Sequence, residues 1–389
     1  MKKIFLILTV IVIASAAAGC ACGQAEDTLP RYRAQIIALE NDEIKAGDTG
    51  ETYPIQYMTV RILEGPYRDM EFETEVFIDT TAYETFDHYR NGDIVEAELT
   101  LDASGEPDSA RVTTLIRIPY IIGLAAVFLL LLVVIGRFKG LKTVASLVVT
   151  VGAVVAILVP LIAEGRDPIL SAAFTSIIVT VFTMFLVGGF NKKSVAAMLG
   201  TISGLIIAAA VTLIAGALMR VTGIETEEVG MLMVSDVDFA FDFKGILTAG
   251  IIIGCLGAVM DVGMSISSSI NELHEVNRDL TAGRLFKSGM AVGRDIMGTM
   301  ANTLILSYTG GALMLMVVWS VYGVSFLDML NKGYIVVEVI KALCGSIAMV
   351  LTIPLTALIA SRMVHAGAPK NPAEPETDPA TGAEKDETD

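Results

Sequence analysis

The stretch Gly257-Ala-Val-Met-Asp261 places a carboxylate inside an apolar run, residues 245–269, that is long enough to cross a bilayer. The next apolar run of this part of the chain, residues 297–319, is directly preceded by Arg294 and Asp295. An ionised side chain inside a membrane span costs about 2.5–3.5 kcal/mol on insertion scales, so such residues have a structural or functional role. These two segments are therefore the part of the chain around which the rest is organised.

The composition is that of a membrane protein. The chain of 389 residues is 53% hydrophobic, its mean hydropathy is +0.65, and its apolar residues form unbroken runs of about 20 residues. The net charge of −16 comes from acids outside these runs, and there is no basic stripe of the kind that binds nucleic acid. We predict an all-α membrane bundle of seven or eight helices. Its seven main spans are residues 118–136, 144–162, 169–189, 195–219, 245–269, 297–319 and 335–360.

The first residues are typical of a signal sequence. Met1-Lys2-Lys3 is a basic start, residues 4–18 are apolar, and Ala17-Ala-Gly-Cys20 resembles a lipoprotein cleavage site. Residues 1–22 are then a cleaved signal peptide, a signal peptide with lipidation at Cys20, or an uncleaved signal anchor. All three interpretations deliver residues 23–117 to the outside of the membrane.

Residues 23–117 predict a small extracytoplasmic β domain, a closed barrel that is OB-like. Gly65-Pro66 and Asp102-Ala-Ser-Gly105 supply hairpin turns between its strands. The strand-like segments are residues 31–40, 55–64, 70–79, 94–101 and 111–116. Acids on these strands either hold a metal or form a solvated face. We favour the solvated face and predict no metal site and no cofactor.

Basic residues predict the orientation of the spans. Those that lie in alternate connections are Arg137, Lys139, Lys142, Lys192, Lys193, Arg278, Arg284 and Lys287. The excess of Lys and Arg in cytoplasmic loops puts these connections in the cytoplasm and the β domain outside. Residues 118–362 are then the transmembrane domain, and residues 363–389, rich in Pro, Ala and acids, are a disordered cytoplasmic tail.

Two polar stripes follow from helical periodicity, because positions i, i+4, i+7 and i+11 share one face of a helix. In the first charged segment these positions are Asp261, Ser265, Ser268 and Glu272. In the second they are Asp295, Thr299 and Asn302, with Arg294 and Thr303 beside them. Lipid cannot solvate such side chains, so we expect the stripes to face each other or a shared watery cleft.

Asp261 has two interpretations. It is either fixed in a structural ion pair with Arg294, or it gains and loses a proton or another cation while Arg294 tunes it. In the second case Asp295 and Glu272 take part in ion coupling. The path is then lined by Ser265, Ser268, Thr299, Asn302 and Thr303. The spans contain no HExxH, no GxSxG and no histidine–carboxylate cluster, so we do not expect an enzyme.

Other residues in the spans have packing roles. Small residues spaced by four predict close helix contacts at Gly200 and Gly204, and in a second set at Gly250, Gly254 and Gly257. We expect Cys255 and Cys344 to be buried packing residues. Glu338 and Lys341 are three residues apart and should neutralise each other.

The chain from Gly136-Arg-Phe-Lys-Gly140 to Ser361 resembles the YibE/F family of bacterial polytopic membrane proteins. The residues that carry this resemblance include Gly257-Ala-Val-Met-Asp-Val-Gly-Met-Ser-Ile266 and Arg294-Asp-Ile-Met-Gly-Thr-Met-Ala-Asn-Thr-Leu304. The resemblance implies a bacterial cytoplasmic membrane protein of several spans.

A second resemblance, to the SecD/SecF proteins of the RND type, rests on Asp261, Arg294-x-Ile-Met-x-Thr and Gly310-Gly311. It implies that Asp261 and Arg294 match the acid and arginine through which proton or sodium flow drives an external domain. The chain departs from that family in having seven later spans rather than five, and a much smaller external domain.

The expected function is therefore a cation-coupled transporter or an energy-coupling subunit, driven by protons or sodium and acting on an unidentified substrate. The partners are the lipid bilayer, the coupling cation and further subunits in a homo- or hetero-oligomer. The alternative is an envelope sensor or assembly factor, in which the β domain binds a partner and the helix bundle is an anchor.

Overall fold

The computed structural model describes residues 29–40, 43–46, 52–77, 89–102, 105–225, 229 and 241–365. The signal segment expected at residues 1–22 and the tail beyond residue 365 lie outside the described residues. The described chain divides into two compact units at the bond between Gly140 and Leu141.

The first unit contains an antiparallel β-barrel. Its strands are β1 (Arg31–Leu39), β2 (Glu43–Ala46), β3 (Thr52–Ile62), β4 (Glu71–Phe77), β5 (Ile94–Leu101) and β6 (Pro107–Leu115). β3 pairs with β4 along one edge, and along its other edge it pairs with both β1 and β2. β1 also pairs with β5, and β5 pairs with β6. β4 also contacts β6, so five strands form a nearly closed barrel in which β2 continues the path of β1. The five predicted strands are confirmed, and the short β2 was missed.

Alternation of apolar and polar residues builds the barrel core, because successive side chains of a strand point to opposite faces. The buried residues are Ala34, Ile36, Met58, Val60, Ile62, Val95, Ala97, Leu99, Ala110 and Val112. Both turn signals are confirmed. Gly65 has a φ of +84°, and the Gly105 amide donates to the Asp102 carbonyl oxygen at 3.1 Å.

The rest of the described chain is helical. The elements are α1 (Ile118–Ala153), a π-helical turn (Val154–Leu158), α2 (Val159–Ala163), α3 (Pro168–Gly188), α4 (Lys192–Leu218), α5 (Phe243–Val276), α6 (Ala282–Gly311), α7 (Leu313–Val321), α8 (Phe326–Leu330) and α9 (Gly333–His365). Five stretches among the described residues are long and apolar enough to cross a membrane, and the bent pair of α6 and α7 makes six. The chain is thus a membrane protein.

The first of these stretches, Ile118–Ala163, has 46 residues, and a straight helix of that length would extend about 69 Å. The hydrocarbon core of a bilayer is only about 30 Å thick. The helix is broken at Arg137, where φ is 49° and ψ is −126°. After the break, Gly140 lies against the backbone of Leu132 and Val133, eight and seven residues earlier. The helix is therefore interrupted at Arg137, and residues 137–140 fold back against the end of the first apolar run.

The helical unit is centred on α9, which packs against α4, α5 and α6, while α5 also packs against α3 and α4. The predicted close contacts at Gly200 and Gly204 are confirmed. A methyl group at either position would collide with Thr356 or Thr352 of α9. The Ser146 and Thr183 hydroxyls are 2.8 Å apart and join α1 to α3.

Three further expectations are confirmed. Cys255 and Cys344 are buried free thiols. The Lys341 Nζ donates to the Glu338 Oε1 at 2.5 Å, one turn apart on α9.

Candidate cation-coupling site

The two helices that carry the charged residues have well-defined starts. The Asp242 side chain accepts a hydrogen bond from the Gly245 amide at 3.0 Å and caps α5. The Thr281 hydroxyl accepts from the Arg284 amide at 3.4 Å and caps α6. Such side-chain acceptors satisfy backbone amides that a helix leaves without partners in its first turn.

The contact between α5 and α6 is apolar. A methyl group at Gly293 would lie 3.4 Å from the Ile266 Cδ1, and one at Gly289 would lie 2.6 Å from the Ile270 Cδ1. Further along, the Tyr308 hydroxyl of α6 lies against Gly254 of α5. Small residues on α6 therefore let the isoleucines of α5 approach closely.

These contacts fix the depth of Asp261. It lies between Gly254 and Ile266 on α5, so it is at a level of α6 between Gly293 and Tyr308. Asp261 is also 18 residues from the first residue of α5 and 15 from the last. Asp261 is therefore close to the middle of helix α5, inside its apolar run.

The stripe on α5 is largely exposed among the residues that the structure describes. Asp261 and Glu272 are exposed, while Ser265 and Ser268 are half-buried. The same face includes Gly250, Gly254 and Gly257, which are all exposed. A methyl group at Gly250 or Gly257 would have nothing within 4 Å. The close contact predicted at these two glycines is therefore not made between the described residues.

The stripe on α6 is also exposed, and it points away from the contact with α5. Gly289 and Gly293 face α5 and α9, and Asp295 and Asn302 lie on the opposite side of the helix. The exposed polar residues are Arg294, Asp295, Thr299, Asn302 and Thr303. Two of their hydroxyls are satisfied within the helix, Thr299 by the Ile296 carbonyl and Thr303 by the Thr299 carbonyl, both at 2.9 Å.

The structure brings α5 and α6 together without joining their charged side chains. In the part of the chain that the structure describes, neither a hydrogen bond nor an ion pair links Asp261 to Arg294 or to Asp295. The structural ion pair, one of the two interpretations of Asp261, is therefore not formed in this conformation.

Sequence reasoning missed two features of this region. The first is that the glycines at 250, 254 and 257 extend the Asp261 stripe. Their spacing from Asp261 is the signal that would have shown it. The second is a set of buried hydroxyls, on Thr201 of α4, Ser267 of α5 and Thr356 of α9, that have no hydrogen-bond partner within the described residues. The sequence shows that these residues lie within apolar runs, but it does not show that their hydroxyl groups are buried.

Nothing in the described ranges groups three or more His, Cys, Asp or Glu side chains in a way that could hold a metal ion. The exposed carboxylates at 261 and 272 are separated by three turns of helix. Asp261 is therefore an isolated, exposed carboxylate beside a stripe of glycine and serine, and it is the candidate position for a single small cation.

Comparison with known proteins identifies the family. The family model described as YibE/F-like protein matches residues 124–366, more than half of the 389 residues, and this range contains both charged helices. No curated protein and no solved structure matches the chain significantly. The resemblance to the SecD/SecF proteins stays a prediction. The length of the family match, together with the helical unit that it covers, shows that this chain belongs to the YibE/F-like family.

Proposed function

We propose that this YibE/F-like protein is a cation-coupled membrane protein, a transporter or an energy-coupling subunit, in which Asp261 binds and releases a proton or a sodium ion. The observation that carries the proposal is the carboxylate itself. It lies near the middle of α5, it is exposed, and it has no ion-pair partner among the described residues. Intramembrane acids of this kind mark ion and proton pathways in many membrane proteins.

The surroundings of Asp261 support this role. Towards one end of α5 the stripe consists of glycines, of which Gly250 and Gly257 have nothing within 4 Å, and towards the other it continues through Ser265 and Ser268 to Glu272. Small and polar side chains leave room for water or a hydrated cation, which aliphatic side chains would exclude. Thr299, Asn302 and Thr303 would line the path only after a rotation of α6, because their stripe points away from α5 in this structure.

Arg294 would act on Asp261 without a fixed bond. It lies on the neighbouring helix, and a cation near a carboxylate favours the ionised form. A movement of α6 relative to α5 would change this interaction and so change how firmly Asp261 holds its cation. Asp295 would offset part of the Arg294 charge. This is the coupling between ion binding and conformation that the proposal requires.

The proposed architecture places this site in a bundle of seven spans, with the stretch Ile118–Ala163 counted as two because it is interrupted at Arg137. The barrel, with OB-like strand pairing, would lie outside the bacterial cytoplasmic membrane and the C-terminus inside, which the basic connections between spans support. No enzymatic activity and no cofactor are proposed.

Infrared difference spectroscopy of the protein in lipid tests the proposal without a known substrate. We expect a carboxyl signal that appears on changing the pH or the sodium concentration and is lost in Asp261→Asn. The matched control is Asp328→Asn, because Asp328 lies on the short helix α8, where the Ser325 hydroxyl donates to its carboxylate at 2.7 Å. A spectrum in which Asp261→Asn changes no cation-dependent signal contradicts the proposal.

A second candidate function, a sensor or assembly factor, is favoured by a cleft on the barrel. The cleft has a volume of about 290 Å³ and lies over the paired strands β3 and β4. It is lined by Glu40, Tyr57, Met58, Thr59, Glu73, Thr74 and Glu75. The corresponding face of OB-fold barrels binds ligands, and the three glutamates here would favour a cationic one. If this function is the main one, Glu40→Lys together with Glu73→Lys abolishes complementation of a deletion strain, and Asp261→Asn does not.

A further inference from the structure

A pocket of about 200 Å³ lies where α6 and α7 meet α8 and the first turns of α9. Ala312, at the bend of 52° between α6 and α7, lies in its wall. The whole wall belongs to the helical unit, so the shape of the pocket does not depend on where the barrel unit lies.

The wall of this pocket is apolar. Its hydrocarbon side chains include Ile305, Ala312, Met316, Phe326, Ile335 and Ala342. The charge of the wall residue Glu338 is neutralised by Lys341, whose Nζ lies 2.5 Å from the Glu338 Oε1. The Thr309 hydroxyl is satisfied by the Ile305 carbonyl at 2.7 Å. Apolar cavities that offer water no partners stay dry and take up apolar molecules. The pocket is therefore suited to a hydrocarbon group.

The pocket is elongated along α9. Its wall on that helix extends from Ile335 to Leu343, which corresponds to about 12 Å along the helix axis. Ile335 is close to the first residue of α9, so the pocket begins near one end of a span and continues towards the middle. An acyl chain of a membrane lipid follows the same course, from the headgroup into the hydrocarbon core. Among the described residues the wall side chains of Phe326 and Leu343 are exposed, which gives a chain a way in.

Two hydrogen-bond donors lie beside the outer end of the pocket. Lys332 comes directly before α9, and its Nζ is 4.8 Å from the ring centroid of Trp319. Trp319 follows the wall residue Met316 by one turn of α7. Tryptophan and lysine at the end of a span are typical of the membrane–water interface. The pocket therefore opens near the level of the lipid headgroups.

These two donors identify the occupant. Within the described residues Lys332 has no ion-pair partner, and the Trp319 indole nitrogen has no acceptor. An ammonium group and an indole N–H can only donate, so an anionic oxygen complements both. An apolar segment of a protein would fill the pocket but leave the lysine uncompensated, and free phosphate would leave the pocket empty. A phospholipid supplies the hydrocarbon and the phosphate together.

We propose that this pocket binds a phospholipid, with one acyl chain between α6, α8 and α9 and the phosphate beside Lys332 and Trp319. An anionic lipid such as phosphatidylglycerol should bind more tightly than phosphatidylcholine, whose choline group offsets the phosphate charge. The proposal does not rest on cation coupling at Asp261, because other residues form the pocket.

Native mass spectrometry of the full-length protein in detergent with added phosphatidylglycerol tests the chain site. The wild-type protein should retain one lipid, and each methylene group removed from the part of the chain inside the pocket should weaken binding about fourfold. Ala342→Leu and Val339→Phe fill the pocket by the volume of two or more methylene groups and should weaken binding about tenfold or more.

The matched control is Ile347→Phe, which enlarges a side chain that is 43% exposed on α9 and lies outside the pocket. It should bind lipid as the wild type does. A wild-type protein that retains no lipid, an affinity that does not depend on chain length, or equal binding by the filled variants overturns the proposal. The chain-length series uses the wild-type protein and so needs no variant to fold.

Fluorescence in vesicles tests the headgroup contact, because Trp319 is the one tryptophan of the chain. A minor fraction of phosphatidylglycerol with brominated chains should quench Trp319 more than the same fraction of brominated phosphatidylcholine. Lys332→Gln should abolish this difference, and Lys244→Gln, an exposed lysine at the start of α5, should not. Equal quenching by the two lipids in the wild type overturns the proposal. Another segment of the same chain covering the pocket would prevent quenching by either lipid and would also overturn it.

Discussion

Asp261 and Arg294 lie on neighbouring helices that contact each other, yet within the described residues no ion pair joins them. The contact between α5 and α6 is made by Ile266, Ile270, Gly289 and Gly293 instead. The stability of the bundle therefore does not depend on the two charges as a pair.

This finding gives the first prediction, for a double-mutant cycle of Asp261→Asn and Arg294→Gln measured by chemical unfolding in detergent. We expect a coupling energy below about 0.5 kcal/mol, as for residues that share no contact. A coupling of about 1 kcal/mol or more would indicate a structural ion pair and would contradict the separation seen here.

The second prediction concerns the packing of α4 on α9. Gly204→Ala should destabilise the bundle by about 1–3 kcal/mol, because the added methyl group collides with Thr352 of α9 and also reaches to 2.8 Å from the Val259 Cγ1 of α5. The control is Gly216→Ala on the same helix, where nothing lies within 4 Å. That change should be neutral or stabilise by up to about 1 kcal/mol, because alanine is the better helix former. Thermal unfolding in nanodiscs distinguishes the two variants.

The third prediction concerns the turn at Arg137. Gly140→Ala should cost about 1–3 kcal/mol, since its methyl group would lie 2.8 Å from the Leu132 carbonyl carbon and 3.1 Å from the Val133 Cα. Gly136→Ala, four residues earlier, should be tolerated because nothing lies within 4 Å of that position. Protease sensitivity of the connection around residue 137 in membranes provides the measurement. Equal behaviour of the two variants would mean that the chain does not turn back here.

The fourth prediction is a pH dependence outside the spans. The Thr222 and Gly223 amides donate to the Glu225 carboxylate at 2.8 and 2.7 Å, and the Thr222 hydroxyl donates at 2.8 Å. Burial alone would raise the pKa of Glu225, but these hydrogen bonds outweigh it and hold the pKa below its ordinary value of 4.5.

A carboxylate with a lowered pKa stabilises the fold above the pKa that it has in the unfolded chain, and this stabilisation is lost as the pH falls through the folded pKa. Glu225→Gln should therefore lower the unfolding temperature at neutral pH, and the difference from wild type should vanish on acidification below the folded pKa. Glu164→Gln is the control for loss of a surface carboxylate. The Glu164 side chain is exposed, and its Oε2 lies 3.8 Å from the Arg166 Nε, so this ion pair contributes little to stability. A difference between Glu225→Gln and wild type that persists at acid pH would contradict the assignment.

Much of the architecture followed from the sequence because it depends on local patterns. Alternation over residues such as Met58, Val60 and Ile62 identified the strands, since period-two burial is a property of a strand alone. Glu338 and Lys341 are three residues apart on one helix, so their contact needs no knowledge of the fold. The long apolar runs identified membrane helices by length.

The site was less accessible to such reasoning. Helical periodicity correctly grouped Asp261 with Ser265 and Ser268, and Asp295 with Asn302. Periodicity states which residues share a face, but not which face packs against a neighbour. On α6 both faces were suitable for a contact, one through glycines and one through polar groups.

The sequence by itself thus determined the elements of this protein and the grouping of its charged residues, because spacing along a strand or helix is a one-dimensional property. Only the tertiary structure decided that Gly289 and Gly293 face the bundle while Asp295 and Asn302 lie on the opposite side of α6, and that no ion pair joins Asp261 to Arg294 within the described residues. The physical reason is shape. Ile266 of α5 and Ile353 of α9 fill the space beside Gly293 more closely than charged side chains could, and this packing sets the rotation of α6.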